Sequence, residues 1–316
     1  MSTWQTGATL ETLSARASLL ADIRQFFALR GVLEVETPLL CQAGVTDPAL
    51  EALSVDVGGG EHRYLQTSPE YAMKRLLAAG SGDIFQISKA FRADELGSRH
   101  NPEYTLLEWY RLGVDHHQLL REVADLLCQL LELQSWQVWP WQALFEHFLS
   151  LNPHRASHQA LADRAGEYLA QPLPDLDRDG LLDLCMSHVI EPGMRDWGMV
   201  FVVDYPASQA ALARQFDRNG VALGARFECY VDGLEMANGY WEAKESDDLR
   251  ARFTADNHNR QRRGQLEQVI DERLLAALLA GLPDCAGVAL GVDRLLMCQQ
   301  KLSHMDATLA FSWSRA

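Results

Sequence analysis

The chain has 316 residues, 47% hydrophobic and 22% charged, the composition of an ordinary soluble globular protein with length for one large domain or two smaller ones. Lys and Arg number 28 against 43 Asp and Glu, and the resulting charge of -15 opposes non-specific binding to a polyanion. No apolar run reaches membrane-spanning length, so no membrane is expected. The cysteines, Cys41, Cys128, Cys185, Cys229, Cys285 and Cys298, lack C-x-x-C or metal-finger spacing. They read as free thiols in a reducing compartment, and the start lacks a secretory signal pattern, so a cytoplasmic location is expected. His116-His117 is adjacent rather than at ligand spacing and reads as a surface pair. Arg260, Arg262 and Arg263 read as a solvated helix end.

The pattern predicts a helix from Thr12 to Arg30, with Leu13, Ala17, Leu20, Ile23 and Phe27 at the helical period and Gly31 as a stop. Leu19 and Phe26 widen the apolar stripe, which suits either a core helix or one shared with a second subunit. Val32–Glu36 alternates as a strand ending at Thr37-Pro38. A short strand at Tyr64–Thr67 precedes Ser68-Pro69-Glu70, a helix start with proline first and an early acid, running to Leu77.

Phe85 to Tyr110 reads as strand, charged turn, strand, with Gly97 and Pro102 forcing turns. The turn holds Arg92, Asp94, Glu95, Arg99, His100 and Asn101, and the return strand places Glu108 among apolar residues, costly unless a cation meets it. The segment is either a wet surface hairpin or a site for a ligand with phosphate, flat base and amine.

Gln118 to Leu133 predicts a strongly apolar helix, and residues 134 to 195 a mixture of helix and loop with a polar tract at Gln171–Gly180. Met199–Val203 is a central strand and Arg226–Val231 another, turning at Asp232-Gly233 into Leu234–Glu242. There Asn238, Tyr240 and Glu242 share a face at period two, as a wet edge or the wall of a polar pocket. Ser246–Gly264 is a charged, exposed helix and Leu266–Leu282 an amphipathic one. Gly287–Met297 runs from a small-residue strand into a helix beginning near Asp293. Arg294 in that first turn opposes the helix dipole, which suits a bound anion.

Three of these segments resemble the signature motifs of class II aminoacyl-tRNA synthetases. GVLEVETP (Gly31–Pro38) resembles motif one, FRADELGSRHNPEYTLLEWY (Phe91–Tyr110) motif two of the lysine enzymes, and GVALGVDRL (Gly287–Leu295) motif three. FECYVDGLEMANGYWE (Phe227–Glu242) also resembles the lysine branch. The resemblance spans nearly the whole chain. It implies one α+β domain over residues 1–316, an antiparallel β-sheet flanked by helices, with about 134–195 as a helical and loop insertion. It further implies a homodimer formed through the first helix and strand.

No β-barrel anticodon-binding domain is expected before motif one, and a bare lysine-type core is similar to the ligases that act on translation elongation factor P. Members of that group activate (R)-β-lysine with ATP and transfer it to a lysine side chain of the factor. The alternative, a truncated lysyl-tRNA synthetase-like enzyme charging tRNA with lysine, is opposed by the missing anticodon module and the acidic balance.

The resemblance assigns roles residue by residue. Arg92 would hold the α-phosphate and the substrate carboxylate, and Arg294 the γ-phosphate, as the catalytic cations. Tyr104 would stack on adenine, with Arg99, His100 and Asn101 in the ATP-binding loop. Glu228 and Glu235 would hold Mg²⁺. Glu108 and Glu242, aided by Tyr110, would pair with the substrate's terminal ammonium, Glu70 with its other amine and Asn238 with its carboxylate. Tyr240 would flank the stem. Ser68, Ala289 and Gly291 would line the pocket, Ser68 and Ala289 replacing the alanine and glycine typical of the tRNA enzymes. An extra methyl there changes preference by about 1–3 kcal/mol. Asp94 stands where motif two usually has glutamate, so Glu95 is expected to compensate.

Overall fold

The computed structural model describes residues 4–93, 95–168 and 176–316. They form two compact units, Met1–Val114 with Ala243–Ala316, and Asp115–Glu242.

In the first unit, helix α1 (Leu10–Ala28) starts where the Thr9 hydroxyl accepts from the Thr12 amide at 3.2 Å. It stops before Gly31, whose φ of 68° suits glycine. Its buried face carries Leu19, Ile23, Phe26 and Phe27. Phe27 stacks on Phe85 at 4.5 Å and meets the edge of Trp109 at 5.3 Å, fixing the helix to the strands that bear those rings. Strand β1 (Leu33–Glu34) is short. A three-stranded sheet follows, β2 (Leu40–Cys41), β3 (Ser54–Asp56) and β4 (His62–Leu65) in the order β2-β4-β3. Helix α2 (Glu70–Ala78) has Pro69 at its cap, one position before the place predicted. Strands β5 (Ile84–Phe91) and β6 (Glu103–Leu112) form the predicted hairpin, paired from Ile84↔Tyr110 to Phe91↔Glu103.

The second unit opens with α3 (His116–Leu131), which has a full capping box of Asp115 and Gln118. Next come β7 (Trp136–Pro140), α4 (Trp141–Leu149), α5 (His158–Gly166), α6 (Arg178–Cys185) and the single turn α7 (Glu191–Gly193). Strands β8 (Met199–Pro206), β9 (Gln215–Arg218), β10 (Val221–Val231) and β11 (Leu234–Trp241) complete it. The sheet order is β11-β10-β8-β7, with β9 on β10. Every residue of β8 is buried, as its continuous apolar run predicted. Residues 134–195 contribute a core of Trp141, Phe145, Leu182 and Ile190 packed against Val200 and Tyr205.

The chain returns to the first unit with α8 (Ser246–Arg262), α9 (Glu272–Gly281), β12 (Cys285–Gly291) and α10 (Val292–Gln299). Strand β12 pairs antiparallel with β6, giving the order β1-β5-β6-β12. The fold is α+β, a sheet flanked by helices. It is mixed rather than wholly antiparallel, because β1–β5 and β7–β8 run parallel.

Four local expectations need correcting. Residues 134–195 hold a strand as well as helix and loop: Trp136–Pro140 alternates β-favouring residues and joins β8. The predicted helix from Leu266 begins only at Glu272, where Asp271 accepts from the amides of Arg273 and Leu274. Arg260 is buried rather than solvated. Its guanidinium donates to the carbonyls of Leu266, Asp47 and Leu50 and pairs with Glu51 at 2.5 Å, so protein groups replace its water. His116 is also buried, its ring near-parallel to Trp241 at 6.5 Å, while His117 is exposed as expected.

Candidate active site

The hairpin turn and the start of α10 carry the predicted phosphate-binding cations. Arg92 leaves β5, its amide donating to Pro102 O at 2.9 Å. Its guanidinium lies 5.3 Å from the Tyr104 ring centroid and 3.3 Å from Glu95. Tyr104 donates to Thr67 O at 2.9 Å, which fixes the ring as a platform. Burial pushes its hydroxyl up to about 12, with the Arg92 charge opposing, so it stays protonated. Arg294 reaches the turn from α10, with Nη2 2.7 Å from His100 Nε2 and Nε 3.5 Å from Arg99 O. Burial, then the Arg294 charge, lower the pKa of His100. The ring is therefore a neutral acceptor for the guanidinium. Asn101 is buried, donating to Glu103 O at 2.6 Å and accepting from the Trp313 amide at 3.0 Å. Its amide groups hold the turn and the C-terminal segment. Asp94 lies outside the described residues.

The middle of the hairpin carries the acids. Glu108 is buried and accepts from the Tyr110 hydroxyl at 2.7 Å. The register sets it opposite Gln86 on one side and Ala289 on the other, so Ala289 belongs to the same patch of sheet. Gly291 caps α10, beside the Arg294 side chain. Ser68 Oγ accepts from the Glu70 amide at 3.3 Å. The Glu70 carboxylate meets Lys74 Nζ at 2.7 Å, and Lys74 is wholly buried, a partner that sequence reasoning missed. Its signal was the (i, i+4) spacing on a helix.

In the second unit, Glu228 is the centre of a closed network. It accepts from Tyr205 at 2.6 Å, from Tyr230 at 2.5 Å and from Arg226. Burial and then the Glu228 charge raise both tyrosine pKa values well above the ordinary value, keeping them donors. Arg226 also donates to Asn238 Oδ1 at 3.2 Å and Gln209 O at 2.5 Å, and lies over the rings of Tyr205 and Tyr240 at 4.5 and 5.9 Å. A bulge shifts the β10–β11 register between Cys229 and Tyr230, so Tyr230 pairs with Glu235 while Glu228 pairs with Asn238. Strict alternation would turn Glu235 away from Asn238; the extra residue, Met236, restores it to the Glu228 face. Glu242 is buried just past β11, bridged to Ala213.

Two carboxylates on one face of adjacent strands fit the donor chemistry of Mg²⁺, which takes few carboxylates and completes its shell with phosphate oxygens and water.

A further cluster went unseen in sequence. Asp293 accepts from Arg16 Nη1 at 2.6 Å and from the Thr105 amide at 2.7 Å, and Arg16 Nη2 donates to Thr105 Oγ1 at 2.7 Å. It ties α1, β6 and α10 beside Tyr104 and Arg294. Its members are too far apart in sequence for any local signal. A cavity of about 250 Å³ in the second unit, bounded by Asp204, Arg218, His154 and Leu223, contains none of the predicted residues.

A family model, tRNA synthetases class II (D, K and N), matches residues 2–315. The chain belongs to that family. Within it, the elongation factor P--(R)-beta-lysine ligases of Mannheimia succiniciproducens and Pasteurella multocida are each 44% identical over 318 residues, covering 99% of this chain and 98% of theirs. The ligase of that name from Salmonella paratyphi B is 44% identical over 321 residues with the same coverage. The match spans the hairpin with Arg92 and Tyr104 and the β12–α10 join with Arg294, the segments expected to hold the second and third motifs.

Proposed function

We infer that this chain is an ATP-dependent ligase that activates (R)-β-lysine as an aminoacyl-adenylate and transfers it to a lysine side chain of elongation factor P. The carrying observation is its 44% identity, over 99% of the chain, to ligases of that name, together with two guanidiniums at the hairpin turn and acids on apolar strands. The relatives do not favour the tRNA-charging alternative.

In the proposed first step a substrate carboxylate oxygen attacks the α-phosphorus of ATP and pyrophosphate leaves. Arg92 and Arg294 neutralise charge on the phosphates and hold the reactants in line, with positioning contributing about 7–11 kcal/mol. Guanidinium suits the task because it forms paired hydrogen bonds and keeps its charge. Tyr104 supplies the adenine platform, with Glu95, Arg99, His100 and Asn101 shaping the loop and Asp94 as a further nucleotide contact. Glu108, Tyr110 and Glu242 take the terminal ammonium, Glu70 the other amine, Asn238 the carboxylate, and Tyr240 the stem, with Ser68, Ala289 and Gly291 lining the pocket. Glu228 and Glu235 would hold Mg²⁺, which supplies charge neutralisation on the phosphates when bound. In the second step the acceptor lysine amine attacks the adenylate carbonyl and AMP leaves. Residues 1–316 act as one catalytic domain with about 134–195 inserted, as a cytoplasmic homodimer that does not use tRNA.

The test is incubation with ATP, labelled lysine or (R)-β-lysine, tRNA and elongation factor P, followed by mass spectrometry of the factor. A mass increase on one lysine of the factor is expected. Label found in RNA alone overturns the reading. Light scattering checks the dimer, and a monomer at micromolar concentration removes that claim.

A further inference from the structure

We propose that Arg226 is a positioning residue that sets which atom of Asn238 faces the amino-acid substrate, making that position read a carboxylate rather than an ammonium. The proposal rests on the role given to Asn238 above. Arg226 Nε lies 3.2 Å from the Asn238 amide. A guanidinium has donors and no acceptor, so the atom facing it is the amide oxygen. The NH₂ group is thereby turned to the other side, where Asn238 makes no hydrogen bond among the described residues. Two N–H donors presented there suit a carboxylate and repel an ammonium.

The guanidinium is itself fixed. Its Nη1 donates to Gln209 O at 2.5 Å, its Nη2 pairs with Glu228, and Tyr205 and Tyr240 flank it at 4.5 and 5.9 Å. Glu228 in turn is held by the Tyr205 and Tyr230 hydroxyls. The strand register makes the chain of contacts local: Glu228 pairs with Asn238 and Arg226 with Tyr240. Without this fork the Asn238 amide rotates freely between its two faces. Lysine at position 226 keeps a cation near Glu228 but not the planar fork that serves Glu228, Gln209 and Asn238 together.

The experiment measures lysine-dependent pyrophosphate exchange and its inhibition by 1,5-diaminopentane, a diamine of the same stem without the carboxylate. Arg226→Lys should raise KM for lysine about ten- to a hundredfold, the loss of a hydrogen bond to a charged group. Diamine inhibition should stay within about twofold. In an Asn238→Ala background, Arg226→Lys should raise KM no further, because it acts through the missing amide. Additive losses, or equal losses for lysine and the diamine, overturn the proposal. Asn238→Asp is a second variant that keeps an oxygen for Arg226 and leaves residue 226 unchanged. It should weaken lysine and spare or strengthen the diamine; equal weakening of both also overturns the proposal. A wild-type protein without exchange on either lysine isomer would instead defeat the functional reading beneath it.

Discussion

The charged groups of the hairpin and those of β10–β11 are held in opposite ways. Arg92 and Glu95 each keep 30% side-chain exposure at 3.3 Å, and Arg294 leans on a neutral imidazole. Arg226 and Glu228 keep 16% and 10% and are enclosed by two tyrosine hydroxyls and a backbone carbonyl. Water competes for the first set and is largely absent from the second. The hairpin charges are therefore screened by solvent, whereas the β10–β11 network is prearranged by its own hydrogen bonds. The contrast separates charges that water can reach from charges that the protein itself encloses.

That contrast can be broken in order of expected effect. Arg92→Ala should lower pyrophosphate exchange by about 10³-fold, yet cost under about 1 kcal/mol of stability because its ion pair is solvent-screened. Exchange near the wild-type rate removes Arg92 from the chemistry. Glu228→Leu should do the reverse to the fold, leaving Arg226 buried without its charge partner and costing about 3–5 kcal/mol in urea unfolding. A loss no larger than that of Arg92→Ala would show that the second region is not enclosed as described.

A third test uses pH in the second unit. Burial, and after it the neighbouring His117, pulls the pKa of His116 down to about 4 from 6.5. The unfolded chain therefore binds a proton on that ring below pH 6.5 that the folded chain refuses until about 4. Stability is full above pH 6.5 and falls as pH drops toward 4, by on the order of 3 kcal/mol. His116→Phe, which keeps a flat ring against Trp241, should flatten the stability–pH curve in that window; an unchanged slope refutes the assignment. The smallest effect belongs to the exposed Arg24–Glu34 pair at 3.0 Å. Arg24→Ala should cost under about 1 kcal/mol and nothing measurable at high salt.

Much of this was legible in order along the chain. The strand–turn–strand hairpin was read from FQIS, the charged turn and YTLLEWY, and the β12–α10 join from small residues running into Asp293-Arg294. The buried acids Glu108 and Glu242 stood out as carboxylates on apolar strands. Lys74 and Arg226 were legible in principle, one four residues after Glu70 and the other two residues before Glu228 on one strand face. The surface readings of His116 and Arg260 failed because a polar residue type says how a side chain pairs with water, not whether a neighbouring element will replace that water.

By itself the sequence determined the periodicities, the turn positions and the chemical groups on each face, since these depend on residues a few positions apart. Tertiary structure decided which groups meet. Arg16, Thr105 and Asp293 converge across 277 residues of chain between the first and last. The bulge at Met236 chose the face of Glu235. The physical reason is range: backbone propensity and side-chain alternation are fixed by near neighbours, whereas the partner and burial of a charge depend on strands and helices that only the closed fold brings beside it.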